Sequence, residues 1–415
     1  MRKLRLGMFV LGWLFYLVTG VPAREVDILV NKLVEKGILT TQEAQEILAE
    51  TKQEAVSKIS EEKSSVLPSW IENTKLKGDM RIRHQYEKRH GQASRNRARL
   101  RYRLGIESEV TDHVKVGAGL ASGGSDPRSS NVTFENTFDT PDIRLNLAFV
   151  EYASDSWGKA VAGKFKRDDY LWAPTDLLWD GDINPEGASV HGQHSLVGDI
   201  KSFINFGGWV LDESSLNQDD PFMYYGQPGL IWDGKGFDAQ ASFNYYGFSG
   251  IQGVRLDHCA GTNTGLSLVG GSCSGGSLSY DYDSLGGSAE FGISEPLGLP
   301  IKRIATFGEY HVSHDANEEN TAWVAGVKFG HKKVKQRGEW QIRYQYAHLE
   351  KDAFPDVFPD SDRYGGETDT QGHEAIVEFG LWDHVTLSVD YYHDKKIKAE
   401  ELPQTLIQGD LNMMF

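Results

Sequence analysis

The chain has 415 residues and a formal charge of −16, with 45 glycines, 19 Phe, 17 Tyr and 10 Trp but only two cysteines. Such acidity argues against nucleic acid as a partner, which calls for a basic face. Two thiols make neither a disulfide-dense scaffold nor a four-thiolate zinc site. After residue 23 no apolar run approaches the ~20 residues that a spanning helix needs.

Residues 1–23 read as a signal peptide. Arg2, Lys3 and Arg5 form a positive start, Leu6 to Val18 an apolar stretch, and small residues end at Ala23, where cleavage is expected. No Cys follows, so a lipid anchor is not expected. Removing those three basic residues takes the charge from −16 to −19. Residues 24–68 read as a periplasmic helical, coiled-coil-like segment. Leu29, Val30, Leu33 and Val34 share a stripe, Gly37 is a natural helix stop, and Thr40 with Glu43 forms a capping box that starts a second helix. An association device and a plain spacer both fit this thin stripe.

From Lys75 to Phe415 the apolar period is two. In the clearest segment Ala98, Leu100, Tyr102, Leu104 and Ile106 face one way and Arg97, Arg99, Arg101 and Arg103 the other. Similar alternation runs through Phe237–Tyr245, Trp340–Tyr346 and Val385–Tyr391. About sixteen strands (14–18) are expected, starting near residues 75, 97, 114, 142, 158, 186, 200, 221, 236, 278, 300, 321, 338, 372, 384 and 404. Links after even-numbered strands are mostly short, as at Thr111–His113 and Trp382–His384. Those after odd-numbered strands are mostly long and polar, as at Ser122–Pro141, Arg167–Pro185, Ser249–Ser277 and Glu350–Gln371. That alternation predicts an all-β, antiparallel up-and-down transmembrane β-barrel over 75–415, with tight periplasmic turns and long external loops. A Greek-key sandwich has no reason to produce it. Thr405, Ile407, Gly409, Leu411, Met413 and Phe415 continue the pattern, placing Phe415 in an aromatic belt and reading as a C-terminal insertion signal.

The sequence resembles the putative porin family of Gram-negative bacteria. The resemblance rests on Ala121-Ser122-Gly123-Gly124 with Ser129-Ser130-Asn131, then Leu145–Tyr152 (LNLAFVEY), Gly163-Lys164 and Asp176–Ala188 (DLLWDGDINPEGA). The family often has Ala-Tyr where this chain has Ala148-Phe149. Lys36-Gly37-Ile38-Leu39-Thr40 is similar to the family's N-terminal region. The resemblance covers nearly the whole mature chain and implies a porin in the cell outer membrane. Its implied partners are outer-membrane lipid and lipopolysaccharide, the barrel-assembly machinery and small hydrophilic solutes. Similarity to general porins implies a homotrimer.

A barrel of this size encloses an aqueous channel. Arg97, Arg99, Arg101 and Arg103 are the pore-lining candidates, with Arg81 and Arg83 beside them. They either bias passage toward anions or are neutralised by carboxylates of neighbouring strands. The Arg167–Pro185 loop is the constriction candidate through Asp168, Asp169, Asp176, Asp180 and Asp182; folded inward these acids narrow the pore, folded outward they are solvated. Cys259 and Cys273 share one external loop, and an oxidising compartment favours their pairing over free thiols. Asp360, Asp362, Glu367 and Asp369 read as solvated loop acids rather than a calcium site. Neither H-E-x-x-H nor G-x-S-x-G is present, so no catalytic residue, metal or cofactor is expected. The function expected is a passive diffusion channel for small hydrophilic solutes or ions. A non-conducting barrel of structural or adhesive role, and an outer-membrane lipid hydrolase, are the alternatives.

Overall fold

The computed structural model describes residue 30 and residues 32–37, 40–45, 48–49, 69–213, 220–265, 277–398 and 402–415. The predicted signal peptide and residues 50–68 lie outside them. Two compact units divide at Glu72 and Asn73. In the first, a helical turn over 32–35 stops at Gly37, whose φ of +69° suits a residue without Cβ. Thr40 then caps the next helix. The Glu43 N–H donates to Thr40 Oγ1 (3.3 Å) and the Thr40 N–H donates to the Glu43 carboxylate (2.8 Å), the reciprocal pair of a capping box. That contact holds the Glu43 carboxyl below its usual range.

The second unit is a closed antiparallel barrel. Its strands are β1 (Thr74–Arg89), β2 (Arg95–Glu109), β3 (Val114–Ser122), β4 (Ile143–Ser154), β5 (Gly158–Lys164), β6 (Glu186–Ser195), β7 (Ile200–Val210) and β8 (Phe222–Gly234). They continue with β9 (Phe237–Ser249), β10 (Ser284–Ser294), β11 (Arg303–Ser313), β12 (Thr321–Gly330), β13 (Trp340–Leu349), β14 (Thr370–Trp382), β15 (Val385–Lys396) and β16 (Gln404–Met414). A two-residue segment, Val132–Thr133, adds only a short pairing to β2. Each strand pairs with the next in sequence, and β1 pairs with β16 from Asp79↔Met414 to Arg89↔Gln404, so no edge is left open. Beyond β16 the Phe415 N–H donates to the Gly78 carbonyl (3.0 Å), and the Gly78 N–H returns a bond to Phe415 (2.8 Å). The Phe415 ring lies over Gly78, where any Cβ would strike it, and stacks with Tyr102 at 6.2 Å.

Polarity is inverted relative to a protein that folds in water. Leu76, Ile106, Leu145, Ile204, Phe243, Phe379 and Leu387 are exposed on the outside of the wall, whereas Gln85, Asn205, Gln227, Asn244 and Gln345 are almost fully buried inside. Period two does this: outward side chains meet lipid, and inward ones hydrogen-bond across the lumen. Glycine turns and short links gather at one end, and long loops at the other.

Candidate functional site: the loop-filled lumen

β5 is only seven residues long, against 16 for β1. The chain therefore leaves the wall partway up the barrel, and the 165–185 loop starts inside it. Its contacts run around the wall. The Tyr170 hydroxyl donates to Glu151 of β4 (2.6 Å), and the Tyr225 hydroxyl of β8 donates to the Tyr170 carbonyl (2.8 Å). Gln227 of β8 brackets Trp172, accepting from its N–H (2.8 Å) and donating to its carbonyl (2.7 Å). The Thr175 N–H donates to Glu309 of β11 (2.9 Å), and Asp182 meets Arg103 (3.2 Å) and Arg101 (3.5 Å) of β2. A segment that touches β2, β4, β8 and β11 crosses the lumen.

The 350–369 loop crosses it as well and locks onto the first. The Asp180 N–H donates to the Phe358 carbonyl (2.7 Å), and the Asp360 N–H to the Asp176 carbonyl (3.3 Å). The Ser361 N–H donates to the Asp180 carboxylate (2.8 Å). Between the loops Trp179 is 1% exposed and packs on Trp209, Tyr246, Phe354 and Phe358 at centroid distances of 4.9–5.6 Å. Inward residues at the loop ends of β7, β8, β9, β12 and β13 complete an apolar core: Trp209, Met223, Phe248, Val324 and Leu349. A polar lumen was expected, but polar side chains line only part of the wall. The loops must cover their own apolar residues, and they do so inside the barrel.

The 350–369 loop is the element that sequence reasoning missed, having read it as an external loop. Phe354-Pro355-Asp356-Val357-Phe358-Pro359-Asp360 carried the signal, since three large apolar residues have no reason to stand in a solvated loop. Asp360 is accordingly buried, and Asp362 is held in an ion pair with its side chain a quarter exposed. Asp360 accepts from the Tyr392 hydroxyl (3.1 Å), and Asp362 pairs with Arg83 (3.0 Å). The 250–283 loop supports this one: the Asp356 N–H donates to Asn263 Oδ1 (2.7 Å) and the Tyr282 hydroxyl to Asp352 (3.0 Å). Cys259 of that loop is disulfide-bonded, and Cys273 lies outside the described residues.

The five constriction candidates separate into different environments. Asp168 pairs with its neighbour Arg167 (2.7 Å) and Asp169 is exposed. Asp176 meets Asp360 and Glu374, with carboxylate oxygens of all three within 4.8 Å of one another. Glu374 is held by Arg363 (2.9 Å) and Arg343, so this cluster carries its own counter-charge. Burial, and then Glu374, push the Asp176 carboxyl up. Burial and the neighbouring Asp182 push Asp180 up to about 7. Burial opposes ionisation of Asp182 too, but Arg101 and Arg103 outweigh it and hold that carboxyl below its usual range.

All four pore-lining candidates face inward. Arg97 pairs with Glu87 (2.9 Å), Arg101 with Asp79 (2.8 Å) and Arg103 with Asp79 (2.6 Å), each acid lying on neighbouring β1. Among the described residues Arg99 makes no ion pair; it donates to Gln85 (3.2 Å) and Ser129 (3.5 Å). Of the two readings of this row, neutralisation describes three of the four guanidiniums.

A model of the family described as Putative porin matches residues 88–269 and 278–415. The chain belongs to this family. By family it is a porin channel of the outer membrane. Its structure is similar to OprB of Pseudomonas putida, with a TM-score of 0.55 at 9% identity over 83% of this chain and 95% of that one. OmpF of Salmonella typhi has a TM-score of 0.48 at 11% identity, covering 82% of this chain and 97% of that one. DcaP of Acinetobacter baumannii, described as an outer membrane channel, has a TM-score of 0.44 at 12% identity, covering 82% and 97%. No curated protein matches the sequence.

Proposed function

We propose that this porin is a passive diffusion channel in which small hydrophilic solutes or ions pass along the arginine-bearing side of the lumen. The observation that carries the proposal is the contact of Asp182 with Arg101 and Arg103. It ties the 165–185 loop to the wall by charge, whereas the loop ends of β7–β9 and β12–β13 are covered by packed apolar side chains. A polar cavity of about 170 Å³ is lined by Asp182, and one of about 320 Å³ lies farther along the row, beside Arg95, Arg97 and Arg99. In this reading Asp182 and the arginines form the constriction, and selectivity follows from size and the charge that remains unpaired.

The packed core around Trp179 favours a second reading, a barrel that does not conduct and serves the envelope structurally. Purified, refolded protein in planar bilayers decides between them. Discrete channel steps support diffusion; their absence, with folded barrel present, supports the structural role. We further propose cleavage after Ala23, insertion by the barrel-assembly machinery aided by Phe415, contact with lipopolysaccharide and a homotrimer in the membrane. Mass spectrometry of the mature N-terminus and light scattering in detergent test the first and last of these.

A further inference from the structure

The arginine row of β2 divides by partner. Arg101 and Arg103 are spent on Asp79 and Asp182. Toward the loop end, Arg95, Arg97 and Arg99 border a cavity of about 320 Å³ together with Arg128, Ser129 and Asp362. That volume sits at the low end of small-molecule sites, about 300–1,000 Å³.

Every acid in the lining is already engaged. Glu87 binds Arg97 (2.9 Å), Asp126 binds Arg128 (3.4 Å) and Asp362 binds Arg83 (3.0 Å). Two guanidiniums remain. Arg95 is exposed and has no ion pair among the described residues. Arg99 hydrogen-bonds only the neutral Gln85 and Ser129, and its buried Nε has no hydrogen-bond partner among the described residues. Its charged neighbours are Asp362, already held by Arg83, and the cations Arg97 and Arg83. A guanidinium with unused donors in a concave site, flanked by a like charge, is arranged to receive an oxyanion in bidentate fashion.

We propose that this cavity is a binding subsite for the carboxylate or phosphate group of a small anionic solute. Arg99 is its main ligand, and Arg95 supplies attraction at the mouth. The proposal rests on the channel reading for its purpose, and it assigns the row two jobs: the Arg101–Arg103 half anchors the loop, and the Arg95–Arg99 half holds solute.

Calorimetry on the full folded protein in detergent tests it, with succinate and inorganic phosphate as separate probes. Saturable binding of either is expected, weakening as salt rises and at least tenfold weaker in Arg99→Gln. Arg99→Lys retains part of it, and Arg337→Gln, on a turn, retains all. Binding of one probe and not the other supports the site and names the anion class. Undiminished binding in both Arg99 variants overturns it, as does failure of both probes to bind the parent. Because calorimetry needs no conduction, channel steps without anion binding sink the subsite alone. Binding without channel steps sinks the diffusion reading alone.

Discussion

Single charged residues inside the barrel carry unequal energetic weight. Arg83 is 5% exposed and donates twice to Asp410, at 2.8 Å each, across the β1–β16 pairing. Removing Arg83 leaves the buried Asp410 only the longer contact to Arg81 (3.7 Å) and takes the partner from Asp362, and breaking a buried pair in this way costs up to about 3–5 kcal/mol. Arg83→Ala is therefore expected to lower the denaturant midpoint of the barrel in detergent sharply, while the exposed pair Lys75–Glu109 is expected to contribute little. Asp180 gives a pH signature. Its native carboxyl titrates near 7 against an ordinary value of 3.8, so between those values the native state holds the extra proton. Stability of the loop contact should fall as pH rises through that window. Asp182 works in the opposite sense, since its contribution is present above the ordinary range and disappears on acidification. Protection of the backbone N–H groups of residue 180 and Ser361, taken relative to their base-catalysed intrinsic exchange, should fall between pH 5 and 8 in the parent and stay level in Asp180→Asn. An equal fall in both would remove Asp180 as the cause.

At the scale of elements, the two crossing loops behave as one body because backbone groups of each bond to the other. Trp179→Ala empties the centre of that body and is expected to cost about 3–5 kcal/mol of its packing. With solute passing along the arginine side, single-channel conductance should change little, whereas a clear rise would place the permeation path through the aromatic core. The strands themselves were legible in the sequence. Those starting at Val114, Gly158, Glu186, Ile200, Thr321 and Gln404 begin where alternation predicted, because period two is dictated by the wall and survives any detail of packing. The destination of the loops was not legible. An inward and an outward Asp182 have the same local sequence, and only the shortness of β5 and the partner loop decide between them. Phe354 and Phe358 are the lesson, since they were visible as apolar residues and were out of place in an external loop.

For the molecule as a whole, the asymmetry of the lumen matters more than its diameter. Packed aromatics fill the loop end beside β7–β9 and β12–β13, and fixed charge lines β1–β2 and, separately, the network of Asp238, Glu290, Arg303 and Lys328 on β9–β12. Reversal potentials in a salt gradient should therefore respond to β2: Arg99→Ala with Arg101→Ala should reduce anion preference. An unchanged potential would leave these arginines as wall-builders. Comparison with Arg101→Ala alone separates solute contact from loop anchoring, since the single change should add gating noise instead.

The seam between β1 and β16 has a consequence for how the protein is made. Arg83 and Asp410 are 327 positions apart along the chain, and their two-bond contact forms only when the first and last strands meet. Until they meet, the sheet is a ribbon with two bare margins, each able to recruit a stray strand from another molecule. Closure is thus the slow and hazardous step of biogenesis, and the buried ion pair at the seam acts as its clasp.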